Sequence, residues 1–279
     1  MPRLLIFGLG YTASHLAARL RAEGWQAVGT TRDGRDGTIA FGDATRVRAE
    51  IAAATHLLSS VPPADDGDPV LAAYGDALRG HRGRLGYLSS TGVYGDAGGA
   101  WVDESAPTGV GRRQARAEAD AAWCALGARV FRLPGIYGPG RSPLDRVRAG
   151  RAHRVAAPGQ VFSRVHVEDI VGGVIAGFEG PPGAYNVADD CPAPQNDVIA
   201  FAARLLGLPP PPFVALDQLS PAARGFYAEN RRVATGKAKR VLGWAPIYPD
   251  YRAGLRALSA TTSPISTSTP PAIASVVQR

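Results

Sequence analysis

The 279-residue sequence has little cysteine, with Cys124 and Cys191 alone. Two thiols cannot build a disulfide framework or a cysteine-based zinc site, so a reducing, cytoplasmic setting is expected. No apolar run approaches the roughly 20 residues of a membrane-spanning helix. Met1-Pro2-Arg3 leads straight into a short apolar stretch broken by Gly8 and Gly10, which does not have the form of a secretory leader. Lysine is almost missing: Lys237 and Lys239 are the only two, and every other basic residue is an arginine. Those arginines are spread along the chain without a dense stripe or interleaved aromatics. The formal charge of +7 therefore does not point to a nucleic-acid partner, and no membrane partner is expected either. A small ligand bearing several phosphates would benefit from the same field.

With 45% hydrophobic and 20% charged residues, the chain can bury a large core. Leu4 to Phe7 is a continuous apolar run. After Gly8-Leu9-Gly10, apolar residues recur at helical spacing at Ala13, Leu16, Ala17 and Leu20. That order predicts strand, glycine turn, helix. Further strands are expected at Gln26 to Thr30, Thr38 to Phe41, His56 to Val61, Leu85 to Leu88 and Arg129 to Leu133, separated by helical segments such as Gly111 to Leu126. Such alternation predicts an α/β fold: a doubly wound Rossmann parallel sheet with a smaller C-terminal α+β substrate lobe. Residues 1–189 form the expected dinucleotide-binding core, with 141–165 contributing to the lobe. Residues 190–258 form the lobe itself. From Ser259 to Arg279 the Ser, Thr, Pro and Ala composition predicts a disordered tail.

Gly8-Leu9-Gly10-Tyr11-Thr12-Ala13 matches G-x-G-x-x-[GA] between a strand and a helix, the context of a dinucleotide fingerprint. Gly8 serves the tight turn and Gly10 the close approach of a pyrophosphate. The small Ala13 lets helix and sheet pack closely, while free helix N–H groups face the anion. At the end of the second strand, Thr31 and Arg32 suit the extra phosphate of NADP, which is expected over NAD. Asp33 stands next in line and is the alternative ribose ligand. Asp43 has two readings, a neighbour of the adenine or a helix cap before Arg46.

Five segments carry a resemblance: Tyr87 to Gly95, Arg132 to Arg141, Phe162 to Ile170, Tyr185 to Val187 and Lys237 to Trp244. Together with the glycine turn they resemble the extended short-chain dehydrogenase/reductase superfamily, the epimerase/dehydratase group that works by hydride transfer on a bound nicotinamide cofactor. The resemblance implies cofactor contacts from Ser60 and Val61, and from Pro134 and Tyr137, the last packed beneath the nicotinamide. It puts Ser90, with Thr91 as its neighbour, where a hydroxyl hydrogen-bonds the reacting oxygen.

The family's catalytic Tyr and Lys fall on Val110 and Gln114, neither of which can do that chemistry, and no lysine precedes Lys237. Arg112, Arg113 and Arg116 could supply charge or clamp an anion, or simply form a solvated helix face. Tyr94 ranks first as a replacement proton donor, ahead of Tyr137 and of His166, whose imidazole ordinarily titrates in the useful range. Arg113, Arg141 and His166 are the expected substrate contacts. The leading expectation is an NADP(H)-dependent oxidoreductase or epimerase-like enzyme acting on a small carbonyl or hydroxyl substrate. The alternative is a redox-sensing protein that binds NADP(H) without chemistry. Monomer and homodimer both stay open.

Overall fold

In the central strand β1 (Arg3–Phe7), Leu4 and Ile6 pack into one apolar cluster, and Leu5 and Phe7 into another on the opposite face. Alternate side chains of a strand point to opposite faces, so a strand buried on both needs helices on both. The computed structural model, which describes residues 1–111 and 114–261, supplies them. After β1 come α1 (Tyr11–Ala22), β2 (Gln26–Thr31), β3 (Ile39–Ala40), α2 (Ala44–Ala53), β4 (His56–Ser59), α3 (Pro69–Arg79), β5 (Arg84–Ser90), β6 (Trp101–Val102), α4 (Gln114–Ala125) and β7 (Arg129–Leu133). The chain continues through β8 (Gly135–Tyr137), α5 (Pro143–Arg148), β9 (Arg154–Val155), β10 (Arg164–His166), α6 (Val167–Glu179), β11 (Gly183–Asn186) and α7 (Gln195–Leu205). It closes with β12 (Phe213–Val214), α8 (Pro221–Tyr227), β13 (Arg232–Val233), α9 (Gly236–Leu242) and α10 (Tyr251–Thr261).

The seven-stranded sheet runs β11-β7-β5-β4-β1-β2-β3, and all its neighbours are parallel. Leu16 and Leu20 of α1 and Val174 and Phe178 of α6 cover one face. Val47 of α2, Leu78 of α3 and Trp123 of α4 cover the other, where Trp123 stacks on Tyr87 with ring centroids 5.4 Å apart. The expected α/β, doubly wound arrangement is therefore present. Because β2 and β4 flank β1 on opposite sides, chain order reverses there and leaves a crevice at the C-terminal strand ends.

A third cluster joins Leu144 of α5, Val198 and Ala202 of α7, and Leu255 of α10, away from the sheet. Around it lie short parallel pairs, β8 with β10, β9 with β12, and β6 with β13. Several boundaries differ from the sequence expectation. The third strand is only Ile39–Ala40, and the fourth stops at Ser59 rather than Val61. The fourth helix begins at Gln114 rather than Gly111. Gly109 has φ +83, which no helix accepts, and a Cβ on Gly111 would sit 2.6 Å from the Gly95 Cα. The last helix continues through Thr261, past Ser259 where a tail was expected to start, because Leu255 and Leu258 anchor it in the third cluster. Residues 262–279 lie outside the described residues. Among the described residues no helix is long and apolar enough to cross a membrane.

Candidate active site

The glycine turn is pinned to the second strand. Leu9 N donates to Thr30 O at 2.9 Å, and Gly8 N to Thr30 Oγ1 at 3.1 Å. Gly8 has φ +81, and a Cβ there would approach Val61 Cγ2 to 2.9 Å, so Val61 backs the turn. Gly10 is the N-cap of the 12-residue α1, no side chain caps that end, and its first turn holds no acid. The leading N–H groups of α1 thus keep their capacity for an anion. A Cβ built on Gly10 would meet nothing within 4 Å. Open space over uncapped amides, with Ala13 fully buried beneath, fits a pyrophosphate.

At the tip of β2, Thr31 Oγ1 lies 2.7 Å from Thr38 Oγ1 and accepts the Gly34 N–H. Asp33 accepts from Thr31 at 3.2 Å and lies 3.8 Å from Arg35. Arg32 is exposed and makes no ion pair among the described residues. Asp43 accepts the Arg46 N–H at 3.1 Å, which makes it the N-cap of α2.

A cleft of about 870 Å³ opens beside the turn, with Gly10, Tyr11, Thr12, Ser60, Thr91 and Pro134 in its wall. Ser90 also lines it, and its Oγ accepts the Gly92 N–H at 3.1 Å, capping the 3-10 turn Thr91–Tyr94. That bond uses an oxygen lone pair and leaves the hydroxyl proton free to donate into the cleft. Ser89, equally in the wall, donates instead to Asp120 at 2.6 Å. Asp120 takes two bonds from Arg132, at 2.7 and 3.1 Å, and Arg132 donates to Tyr94 Oη at 3.0 Å. Tyr94 passes its own proton to Asn186 Oδ1 at 2.7 Å.

Tyr94, expected to lead as proton donor, is thus 2% exposed, fully hydrogen-bonded, and absent from the cleft wall. Burial pushes its pKa up against the pull of Arg132. His166 departs from expectation as well. Its Nδ1 accepts the Glu168 N–H at 3.2 Å as the N-cap of α6, and the ring packs between Tyr137 and Tyr248. Burial pushes its pKa down to about 4, so it is neutral near pH 7. Tyr137 is likewise buried, its hydroxyl has no partner among the described residues, and burial pushes its pKa up. Neither ring is among the cleft-lining residues.

Val110 is 70% exposed, and Gln114 donates to Glu118 at 3.1 Å, so neither faces the cleft. Arg113 lies outside the described residues. Arg141 lines the cleft with its guanidinium 5.5 Å from the Tyr11 ring centre, and Tyr11 Oη donates to Pro139 O at 3.0 Å. Arg116, Arg146, His153 and Arg231 add further cationic or basic groups, and Glu229 is the only carboxylate in the described wall. Glu229 is engaged by Arg231 at 3.0 Å. Sequence reasoning missed Arg146, His153, Arg231 and Tyr227. They come from separate segments with no shared spacing, and only the fold of the lobe gathers them. Among the described residues no cluster of His, Cys, Asp and Glu could hold a metal.

No family model matches the chain. Protein YeeZ of Escherichia coli strain K12 is 31% identical over 283 aligned positions, covering 90% of this chain and 97% of that protein. A functionally unknown conserved protein from Silicibacter pomeroyi DSS has a solved structure with a TM-score of 0.82 and 45% identity, covering 93% of this chain and 99% of that one. A human epimerase family protein solved with NADPH has a TM-score of 0.73 at 17% identity, a likeness of fold, over 93% of this chain and 100% of that one. These likenesses place the chain: it belongs to the same family as Protein YeeZ, and it shares its fold with the human epimerase family protein.

Proposed function

We propose that this protein is an NADP(H)-dependent oxidoreductase that acts by hydride transfer on a small carbonyl or hydroxyl compound. One observation carries the reading. The uncapped N-terminus of α1, with open space at Gly10, borders the same cleft into which Ser90 presents a free hydroxyl proton. When bound, the nicotinamide supplies or accepts the hydride. The residues do the rest. Gly10, Tyr11 and Thr12 bind the pyrophosphate, with Gly8, Ala13 and Val61 shaping the turn. Thr31 and Arg32 favour the extra phosphate of NADP over a plain ribose, with Ser60 and Pro134 along the nicotinamide side. Ser90, with Thr91 beside it, polarises the reacting oxygen, and donors aimed at a developing oxyanion are worth several kcal/mol in a water-poor site.

The human structure solved with NADPH supports the cofactor reading. The cleft wall, with Arg141, Arg146 and Arg231 against one engaged carboxylate, favours an anionic substrate. A sensing role without chemistry gains no support from a wall that keeps its free hydroxyl. The two unbridged cysteines suit a reducing cytoplasm. Residues 1–189 serve as the dinucleotide core and 190–258 as the substrate lobe.

The test is stopped-flow loss of nicotinamide absorbance with a panel of small carbonyl compounds, half of them carboxylates or phosphates. Turnover is expected, faster with the anions. No turnover with any compound despite tight NADPH binding contradicts the proposal.

A further inference from the structure

The sheet order decides which half of a dinucleotide goes where. With the pyrophosphate at Gly10, after β1, the adenosine end extends over β2 toward Arg32. The nicotinamide end then lies over the strands on the other side of the reversal, β4 and β5, whose ends carry Ser60 and Ser90. That stretch of the wall receives one cation from α4, and it is Arg116. Ala117, Ala119, Asp120 and Trp123 of the same helix are buried against the core, while Gln114 is turned to Glu118. Arg116 is partly buried and makes no hydrogen bond or ion pair among the described residues. Asp120, one helical turn on from Arg116, is already spent on Arg132 and Ser89. A guanidinium that lines the cleft with its five donors unspent on the protein is free to take the acceptors of a ligand there.

We infer that Arg116 grips the nicotinamide half of the dinucleotide, its guanidinium lining the same cleft as Ser60, Ser89 and Ser90. A planar fork suits the paired hydroxyls of a ribose and the carboxamide oxygen, and Arg keeps its charge at every working pH. The inference rests on the dinucleotide reading above, and adds to it a contact that is independent of the glycine turn and of Arg32.

Titration calorimetry with two probes separates the halves: NADPH, and adenosine 2′,5′-bisphosphate, which lacks the nicotinamide nucleoside. Arg116→Gln is expected to weaken NADPH binding at least about tenfold, the worth of one charge-assisted bond. Its affinity for the bisphosphate stays at the wild-type value, and Arg116→Lys recovers part of the NADPH affinity. The retained bisphosphate affinity also shows that the variant is folded. Unchanged NADPH affinity in Arg116→Gln overturns the inference, as does equal loss of both probes in Arg116→Gln and Arg116→Lys. If the wild-type protein binds neither probe, the dinucleotide reading fails first and takes this inference with it.

Discussion

Ser89 donates its hydroxyl proton to Asp120 at 2.6 Å, and Asp120 holds the guanidinium of Arg132 at 2.7 Å with both side chains almost fully buried. The cleft wall is thereby tied to an ion pair beneath it. Removing one partner of a buried pair strands the other charge, so Asp120→Ala is expected to cost about 3–5 kcal/mol, and Ser89→Ala about 1 kcal/mol. Urea unfolding of both variants checks this. A loss below about 1 kcal/mol for Asp120→Ala contradicts the coupling.

Tyr94 belongs to the same buried chain, so its hydroxyl is structural. Tyr94→Phe removes the link between Asn186 and Arg132 and is expected to lower stability by about 1–3 kcal/mol. NADPH affinity stays at the wild-type value and turnover changes by less than about tenfold, well short of the loss that removal of a general acid brings. A hundredfold fall in turnover with intact NADPH binding would return Tyr94 to the chemistry.

Gly10 lies at φ −89, a conformation open to any residue, and faces empty space. Gly10→Val should therefore fold with a melting temperature close to the wild type, yet fill the room a pyrophosphate needs. Thermal melting paired with NADPH titration is the check. Wild-type affinity in this variant would place the phosphates elsewhere.

Burial pushes the Asp189 carboxyl up to about 7, against the attraction of Arg164 and the Cys191 N–H bond. A carboxyl raised in the fold binds its proton more tightly there than in the unfolded chain. Its contribution to stability is therefore greatest at low pH and falls as pH rises from about 4 to 7. Asp189→Asn removes that cost and can still accept the Cys191 bond. Its stability relative to wild type should improve by about 2–3 kcal/mol between pH 5 and pH 8. Urea unfolding at the two pH values measures it, and a pH-independent difference would show that Asp189 ionises normally.

The parts of this molecule that obey local rules were legible in the sequence. The continuous apolar run Leu4 to Phe7, the Gly8–Ala13 turn and the α1 spacing each state their own structure, and the parallel sheet follows from their alternation with helices. Ser90 and Arg141, each in a motif segment, both line the cleft. What the sequence could not show depends on which way a side chain turns. Tyr94 and His166 sit in motif segments, but Arg132 with Asn186 draws one into a buried chain, and capping of α6 draws in the other. The cations Arg146, His153 and Arg231 meet only because distant segments fold together over the cleft.

Arg32 stands unpaired among the described residues at the tip of the second strand, and its meeting with a 2′-phosphate is the central claim. Titration calorimetry of NADPH and NADH into the wild-type protein and into Arg32→Gln tests it most directly. The prediction is heat on binding, with NADPH at least about tenfold tighter than NADH in the wild type and the gap closed in the variant. No heat with either nucleotide, or a preference that survives the loss of Arg32, would contradict it.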